Sequence, residues 1–257
     1  MTVKRALAVA IRQISLGFAI SSLIVGPVMA APTGGSHSHG SDVTVSLGSD
    51  TVVNQTIENA TINWSSFNVT NGESVQFCYG VCGSSSNTNY TTLNLIGGNS
   101  VSDIDGAITS NGQVFFSNPN GIVFGANAEV NVGGLIATTA NISVNNNTAT
   151  LTGVANSTSE IESNGTINSS GMIAFIAPNI DVQGGTLTAG NGSEIHFNNA
   201  TNGTITLSNG ISFNLADTAA FIDDQQGVNN AATLISDGGL IVLDSDALNS
   251  VYSGAIN

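Results

Sequence analysis

Three kinds of side chain in this sequence have the type and spacing for chemistry: neighbouring carboxylates, a close cysteine pair and a close histidine pair. Asp223 with Asp224, and Asp244 with Asp246, are the candidates for the paired acid/base work that breaks glycosidic bonds. Neighbouring acids on a solvated turn also arise without any catalytic role, and a polysaccharide lyase built on them would want a basic residue that is missing here. His37 and His39 lie in a Gly/Ser tract with no third ligand in register, so the tract is read as linker and no metal or cofactor is expected. Cys78 and Cys82 close three residues in the segment Phe77-Cys-Tyr-Gly-Val-Cys-Gly83. In an exported chain that pair is expected as a local disulfide, with a free, reactive pair as the alternative. Redox and metal motifs more often use two intervening residues and further ligands.

Charge excludes more than these residues suggest. Against 17 Asp and Glu stand only three Lys or Arg, for a formal net charge of −14. All three cations, Lys4, Arg5 and Arg12, sit in the first thirty residues. Beyond Arg12 there is nothing to neutralise phosphate, so nucleic-acid binding, a phosphate-loop lysine and arginine-dependent catalysis are excluded. Carboxylate–ammonium salt bridges are excluded with them. The same three residues form the basic front of a targeting segment at 1–30. An apolar stretch from Ile14 to Val28 follows, and Val28-Met29-Ala30 gives the small-residue ending of a signal peptide. Cleavage there starts the exported chain at Ala31 and takes the charge from −14 to −17 by removing the three cations. A membrane anchor is the alternative reading of this segment, but Gly17, Gly26 and Pro27 interrupt it. No later stretch has the length and apolarity of a transmembrane segment.

The elements that position these residues are read from a repeat. Gly106-Ala-Ile-Thr-Ser-Asn-Gly-Gln-Val-Phe-Phe-Ser-Asn-Pro-Asn120 and Gly165-Thr-Ile-Asn-Ser-Ser-Gly-Met-Ile-Ala-Phe-Ile-Ala-Pro-Asn179 share Gly, Gly and Pro-Asn at identical spacing. Gly165-Thr166-Ile167 recurs as Gly185-Thr186-Leu187 and as Gly203-Thr204-Ile205, in steps of 20 and 18 residues, and the offset of 59 between the long copies is about three such steps. Short alternating strands, Gly/Asn corners and a period near twenty predict the coils of a β-solenoid. Residues 31–41 (APTGGSHSHGS) read as a flexible lead-in, and 42–257 as one all-β domain. Within it, strands are predicted at 113–117, 122–124, 129–132 and 134–139. Residues 78–90 are predicted as a loop stapled by the cysteines, and Thr148 to Glu160 is less regular. The coil pattern continues almost to Asn257 with no closing cap, so the domain is expected to be truncated there.

Several stretches together resemble a known family. Gly112-Gln-Val-Phe-Phe-Ser-Asn-Pro-Asn-Gly-Ile-Val-Phe-Gly-Ala-Asn-Ala-Glu-Val-Asn-Val-Gly-Gly-Leu-Ile-Ala-Thr138, with Ile62-Asn-Trp-Ser-Ser-Phe-Asn68, Gly72-Glu-Ser-Val-Gln-Phe77, Leu93-Asn-Leu-Ile-Gly-Gly-Asn99 and Ala177-Pro-Asn-Ile180, is similar to the N-terminal secretion domain of filamentous-haemagglutinin- and haemolysin-like exoproteins of bacterial two-partner secretion. The resemblance implies a right-handed parallel β-helix of the pectin-lyase-like kind, with short extra-helical loops. It implies an export signal rather than an enzyme, recognised in the periplasm by the POTRA domains of an outer-membrane transporter. On this resemblance Asn118, Pro119, Asn120 and Gly121 match the family's turn, and Asn63, Trp64 and Phe67 its early aromatic strand. Each is expected to serve partner recognition or structure. A stand-alone surface adhesin with a host-cell or surface ligand is the alternative. Asn-x-Ser/Thr triplets at Asn54, Asn59, Asn63, Asn68 and Asn141 would allow its glycosylation.

Overall fold

A computed structural model describes residues 31–83, 90–145, 148–153, 159–190, 192–199, 202–206, 212–216, 227–236, 238–244, 251–252 and 254–257. The signal peptide expected at 1–30 lies outside the described residues. A short strand with one apolar face has nothing of its own to bury that face against, and its backbone groups need partners on both sides. Stacking successive coils answers both needs.

From Ser102 onward, each coil runs through a third, a second and then a first sheet, while the two coils before it use only the second and first. Ser102–Ile104, Ala107–Ser110 and Gln113–Ser117 make one coil, and Ile122–Phe124, Glu129–Val132 and Gly134–Thr138 make the next. Between these coils and their successors the pairing is parallel, as in Leu135↔Ile173 and Ile173↔Ile195. The result is the expected parallel β-helix. Strands at 113–117, 122–124 and 129–132 fall where the alternation places them, and Gly134–Thr138 stops one residue short.

Inward rows build one continuous core. In the second sheet Val75, Ile108, Val130, Ile167, Leu187 and Leu234 stack in register and are fully buried. Phe175 stacks between Phe124, at 5.8 Å, and Phe197, at 5.2 Å, with its ring nearly parallel to both. The repeated glycines keep the coils close. A Cβ on Gly133 would stand 2.7 Å from the Gly112 carbonyl oxygen, and one on Gly171 would stand 2.5 Å from that of Gly133.

The long repeat spans two coils, not three. Ala107 pairs with Glu129 and Glu129 with Thr166, so the additional residues belong to a hairpin that leaves the helix, Asn141–Asn145 with Thr148–Thr152. Gly203-Thr204-Ile205 is not a coil position either; it pairs antiparallel with Ala149–Leu151. The coil partner of Thr186-Leu187 is Thr233-Leu234. Gly-Thr-Ile is a generic turn-into-strand sequence that serves both settings.

Where short extra-helical loops were expected, two hairpins instead form a four-stranded antiparallel sheet of Asn141–Asn145, Thr148–Thr152, Asn202–Thr206 and Ser212–Ala216. Its cause lies on the outer face of the first sheet, where Leu93, Phe115, Ile136, Ala174 and Ile176 form a second buried cluster with Ala149, Leu151 and Ile205 of the added sheet. Burial on both faces explains the unbroken apolar runs Val114-Phe115-Phe116 and Ile173-Ala174-Phe175-Ile176. It also reverses Leu93-Asn94-Leu95. Leu93 faces outward under the added sheet, while Asn94 is fully buried and accepts from Trp64 Nε1 at 2.9 Å.

The lead-in expected to be flexible is held on the fold. Ser36–His37 pairs antiparallel with Ile62–Asn63, Thr33 bridges Ser66, and a short 3-10 turn at Gly40–Asp42 leads into Val43–Ser46. Backbone pairing to an otherwise open strand edge supplies the reason. Cys78 and Cys82 are bonded, and Cys78 lies within the strand Ser74–Tyr79 rather than in the loop. Residues 84–89 of that loop lie outside the described residues.

Carboxylates without cations take amide partners. Asn127 Nδ2 donates to Asp105, Asn164 Nδ2 to Glu162, Asn179 Nδ2 to Glu160 and Gln183 Nε2 to Asp181, all at 2.8–2.9 Å. Among the described residues the one ion pair is His196 Nε2 with Glu194, at 2.6 Å, charged only when the imidazole is protonated.

Trp64 is the only tryptophan, so its emission reports on the first coils. Asn94→Leu strands the buried indole N–H and should cost about 1–3 kcal/mol, read from the urea midpoint followed by that emission. An unchanged midpoint would show that the Trp64–Asn94 bond contributes nothing.

Candidate functional site

The corner between the first sheet and the next third-sheet strand brings the two expected motifs together. Asn118-Pro119-Asn120-Gly121 leaves the strand Gln113–Ser117 and delivers the chain to Ile122–Phe124. The corner's backbone bonds to neighbouring coils at its two ends, Asn118 N–H to Thr138 O and Ser102 N–H to Gly121 O, both at 3.1 Å, and its side chains satisfy further groups around it. Fully buried Asn118 donates from Nδ2 to Ser100 O at 3.0 Å and Ser102 Oγ at 2.9 Å, while its Oδ1 accepts from the Asn120 backbone N–H at 3.0 Å. Asn120 Nδ2 reaches Gly98 O at 2.7 Å. From the following coil, Ser159 Oγ donates to Pro119 O at 2.6 Å. Gly121 turns at φ 117, where a Cβ would meet Glu160 O at 3.1 Å.

One corner therefore ties three successive coils. The device recurs three coils on, where Asn199 Nδ2 donates to Ala177 O and Pro178 O.

Beside the corner lies a groove of about 380 Å³, with Asn63 and Trp64 on one side, Pro119 and Asn120 on the other, and Asn141 and Ile142 of the added sheet as a further wall. Of the expected residues, Trp64, Phe67, Asn118 and Gly121 are buried, Pro119 and Asn120 are half-buried, and Asn63 is exposed. Trp64 meets Phe67 edge-on at 5.2 Å, and Phe67 meets Phe116 at 4.9 Å, so these rings fasten the first coils to the core. Of these residues, Asn63, Pro119 and Asn120 are the ones that reach the surface.

Sequence reasoning missed the buried polar network behind the aromatic strand. Gln55 Nε2 donates to Ile57 O and Thr91 O, its Oε1 accepts from Thr92 Oγ1, and Thr92 Oγ1 also bonds Tyr79 Oη, which donates to Gln113 O. Burial pushes the Tyr79 phenol up to about 12. Only the position of these polar residues on inward strand faces could have flagged them. Asp223, Asp224 and Asp246 lie outside the described residues, and Asp244 ends the strand Ile241–Asp244. His37 and His39 are not neighbours on a ligand site: His37 is in the strand Ser36–His37, and His39 Nε2 accepts from the Thr61 backbone N–H at 3.2 Å. Among the described residues no group of three or more His, Cys, Asp or Glu is placed to hold a metal ion.

Two measurements probe the corner. Asn118→Ala removes a buried amide and leaves the buried Ser102 hydroxyl without it, which should cost about 1–3 kcal/mol, with Asn120→Ala costing less because that side chain is half exposed; urea midpoints check the order. Glu160, next to the corner, has its carboxyl raised above the usual range by burial, then by Glu162 and Asp181, against the Asn179 bond that lowers it. The folded state thus holds that proton more tightly than the unfolded state, so the ionised group destabilises at neutral pH and the penalty fades as pH falls through the carboxylate range. Glu160→Gln should raise the urea midpoint at about pH 7 and lose that advantage at about pH 4. A variant advantage that grows on acidification would contradict this.

A family model described as the TPS secretion domain matches residues 29–257. The chain is similar to the solved secretion domain of HMW1 from Haemophilus influenzae, at 28% identity and a TM-score of 0.65, over 82% of this chain and 55% of that one. It shares its fold with the filamentous hemagglutinin secretion domain, at 18% identity and a TM-score of 0.56, over 88% of this chain and 99% of that one. A heme/hemopexin-binding protein of Haemophilus influenzae is 32% identical over 96 residues, which is 37% of this chain and 10% of that protein. With the coils, the Asn-Pro-Asn-Gly corner and the aromatic strand all in place, the chain belongs to the family of TPS secretion domains, the export modules of two-partner-secretion exoproteins.

Proposed function

We propose that this domain is read in the periplasm by the POTRA domains of an outer-membrane transporter, and that its coils then nucleate folding at the cell surface. The observation that carries the reading is the absence of any Lys or Arg beyond Arg12 on a surface built from strands. A partner that grips such a surface must use backbone pairing, hydroxyls and amides, with its own cations complementing the acidic side chains. Addition of an edge strand to a POTRA sheet supplies main-chain bonds in that way. Each coil added outside the cell buries further apolar surface, worth about 25 cal/mol per Å², which biases movement outward. The disulfide closes only the segment Cys78 to Cys82, a narrow obstacle for a chain crossing a pore.

No catalytic step is assigned to the domain. One relative is named for binding heme and hemopexin, but the matched stretch is 10% of that protein, and export rather than that binding is the function proposed for this domain.

Purified POTRA domains of the transporter should bind the exported chain, with association slowing as salt screens the acidic surface. Absence of binding at low salt would overturn the reading.

A further inference from the structure

We propose that residues 32–42 form a displaceable strap over the strand Asn59–Trp64, and that the edge beneath it is where an extended, basic strand of the transporter pairs. The inference rests on the export reading above and names the surface that reading uses.

Asn59–Trp64 pairs along all six residues with Thr91–Ile96 on one side. On the other side its ladder holds only Ile62 and Asn63, against His37 and Ser36. The rest of the cover is a bridge from Thr33 to Ser66 and the acceptance of the Thr61 N–H by His39 Nε2. The antiparallel ladder thus engages two residues of a strand of six. Edges left open invite pairing, and a short, weakly seated cover is the simplest way to keep one closed until a longer strand arrives.

The strap is built to come away. Pro32 is its one buried residue, and Thr33, Gly34, Ser36, Ser38, Gly40, Ser41 and Asp42 are exposed. Gly34, Gly35 and Gly40 turn at φ 96, 63 and 58, so its path costs more conformational entropy to hold than a path open to other residues. Its fastening is polar: Thr33 N–H to Ser66 O at 3.0 Å, Ser65 N–H to Thr33 O at 2.8 Å, Thr33 Oγ1 with Ser66 Oγ at 2.7 Å, Ser36 Oγ to Asn63 O at 3.5 Å and, at its far end, Thr56 N–H to Asp42 O at 2.8 Å.

Beneath it lies what a peptide-binding edge requires. A Cβ on Gly35 would stand 3.0 Å from Trp64 Cζ3, so the strap rests on the indole, which is 2% exposed under this cover. Lifting the strap offers six residues of backbone edge, an aromatic face and the adjoining groove at Asn63 and Trp64. Main-chain bonds then supply affinity, and the ring supplies a pocket for one side chain. Beyond its histidines and its α-amino group the exported chain carries no positive charge, so the incoming strand is the one that carries Lys or Arg.

The test ties the strap down or loosens it and reads POTRA binding by calorimetry, using chain purified from the periplasm. Ser36→Cys with Asn63→Cys joins paired positions of strap and edge, with each single variant as its control. Gly34→Ala loosens the strap, since its Cβ would stand 2.7 Å from Ser65 N at φ 96. Circular dichroism confirms that each variant keeps its strands. The tied chain should bind about tenfold or more weakly than either single variant, and Gly34→Ala should bind more tightly than the parent. Equal affinity of tied and untied chains overturns the strap while leaving the export reading intact. Weakening by a matching tie at the paired positions Asn141 and Thr152, with none from the strap tie, places the docking edge on the added sheet and also overturns it. Failure of the parent itself to bind overturns the export reading instead.

Discussion

Every coil of this domain leaves backbone and side-chain groups that only the next coil can satisfy, and no cation is at hand to help. That constraint organises the rest. Carboxylates that elsewhere would pair with Lys or Arg are held by Asn127, Asn164, Asn179 and Gln183. Corners take their cohesion from amides, as when Asn118 and Asn120 reach back to Ser100, Ser102 and Gly98. Amide bonds of this kind do not weaken with salt as ion pairs do, which suits a chain that leaves the cell. The strong net charge keeps the surface soluble, and the stacked apolar rows carry the cohesion against it.

The Asn-Pro-Asn-Gly corner gains a different meaning from this arrangement. A turn matched to a secretion family invites the idea of a recognition tag displayed to a partner. Its leading residue is instead fully buried and joins one coil to the next. What the corner presents outward is the rim of a groove shared with the aromatic strand. The same residues that set the coil spacing also shape the groove beside Trp64.

Much of this was legible in the residues. Strands at 113–117, 122–124 and 129–132 follow from local alternation bounded by Gly and Asn, and no distant contact alters them. The period was not legible where hairpins interrupt it, because Gly-Thr-Ile starts a strand in the coil at Gly165 and in the added sheet at Gly203 alike. Asn94 shows a second limit: between Leu93 and Leu95 it looks like a solvent-facing residue, and only the sheet added outside Leu93 reverses the faces. The Gly- and Ser-rich stretch before Asp42 has a linker's composition, yet an open strand edge beside it gives its backbone a partner. In each case the missing information is what covers the outer face or edge of a strand, which composition does not encode.

The most direct test of the account is the export of a passenger, itself unable to leave the periplasm, fused after Asn257 in cells with and without the transporter. The account predicts passenger in the medium only when both the domain and the transporter are present. Passenger confined to the periplasm in both cases, or released in both, would contradict it.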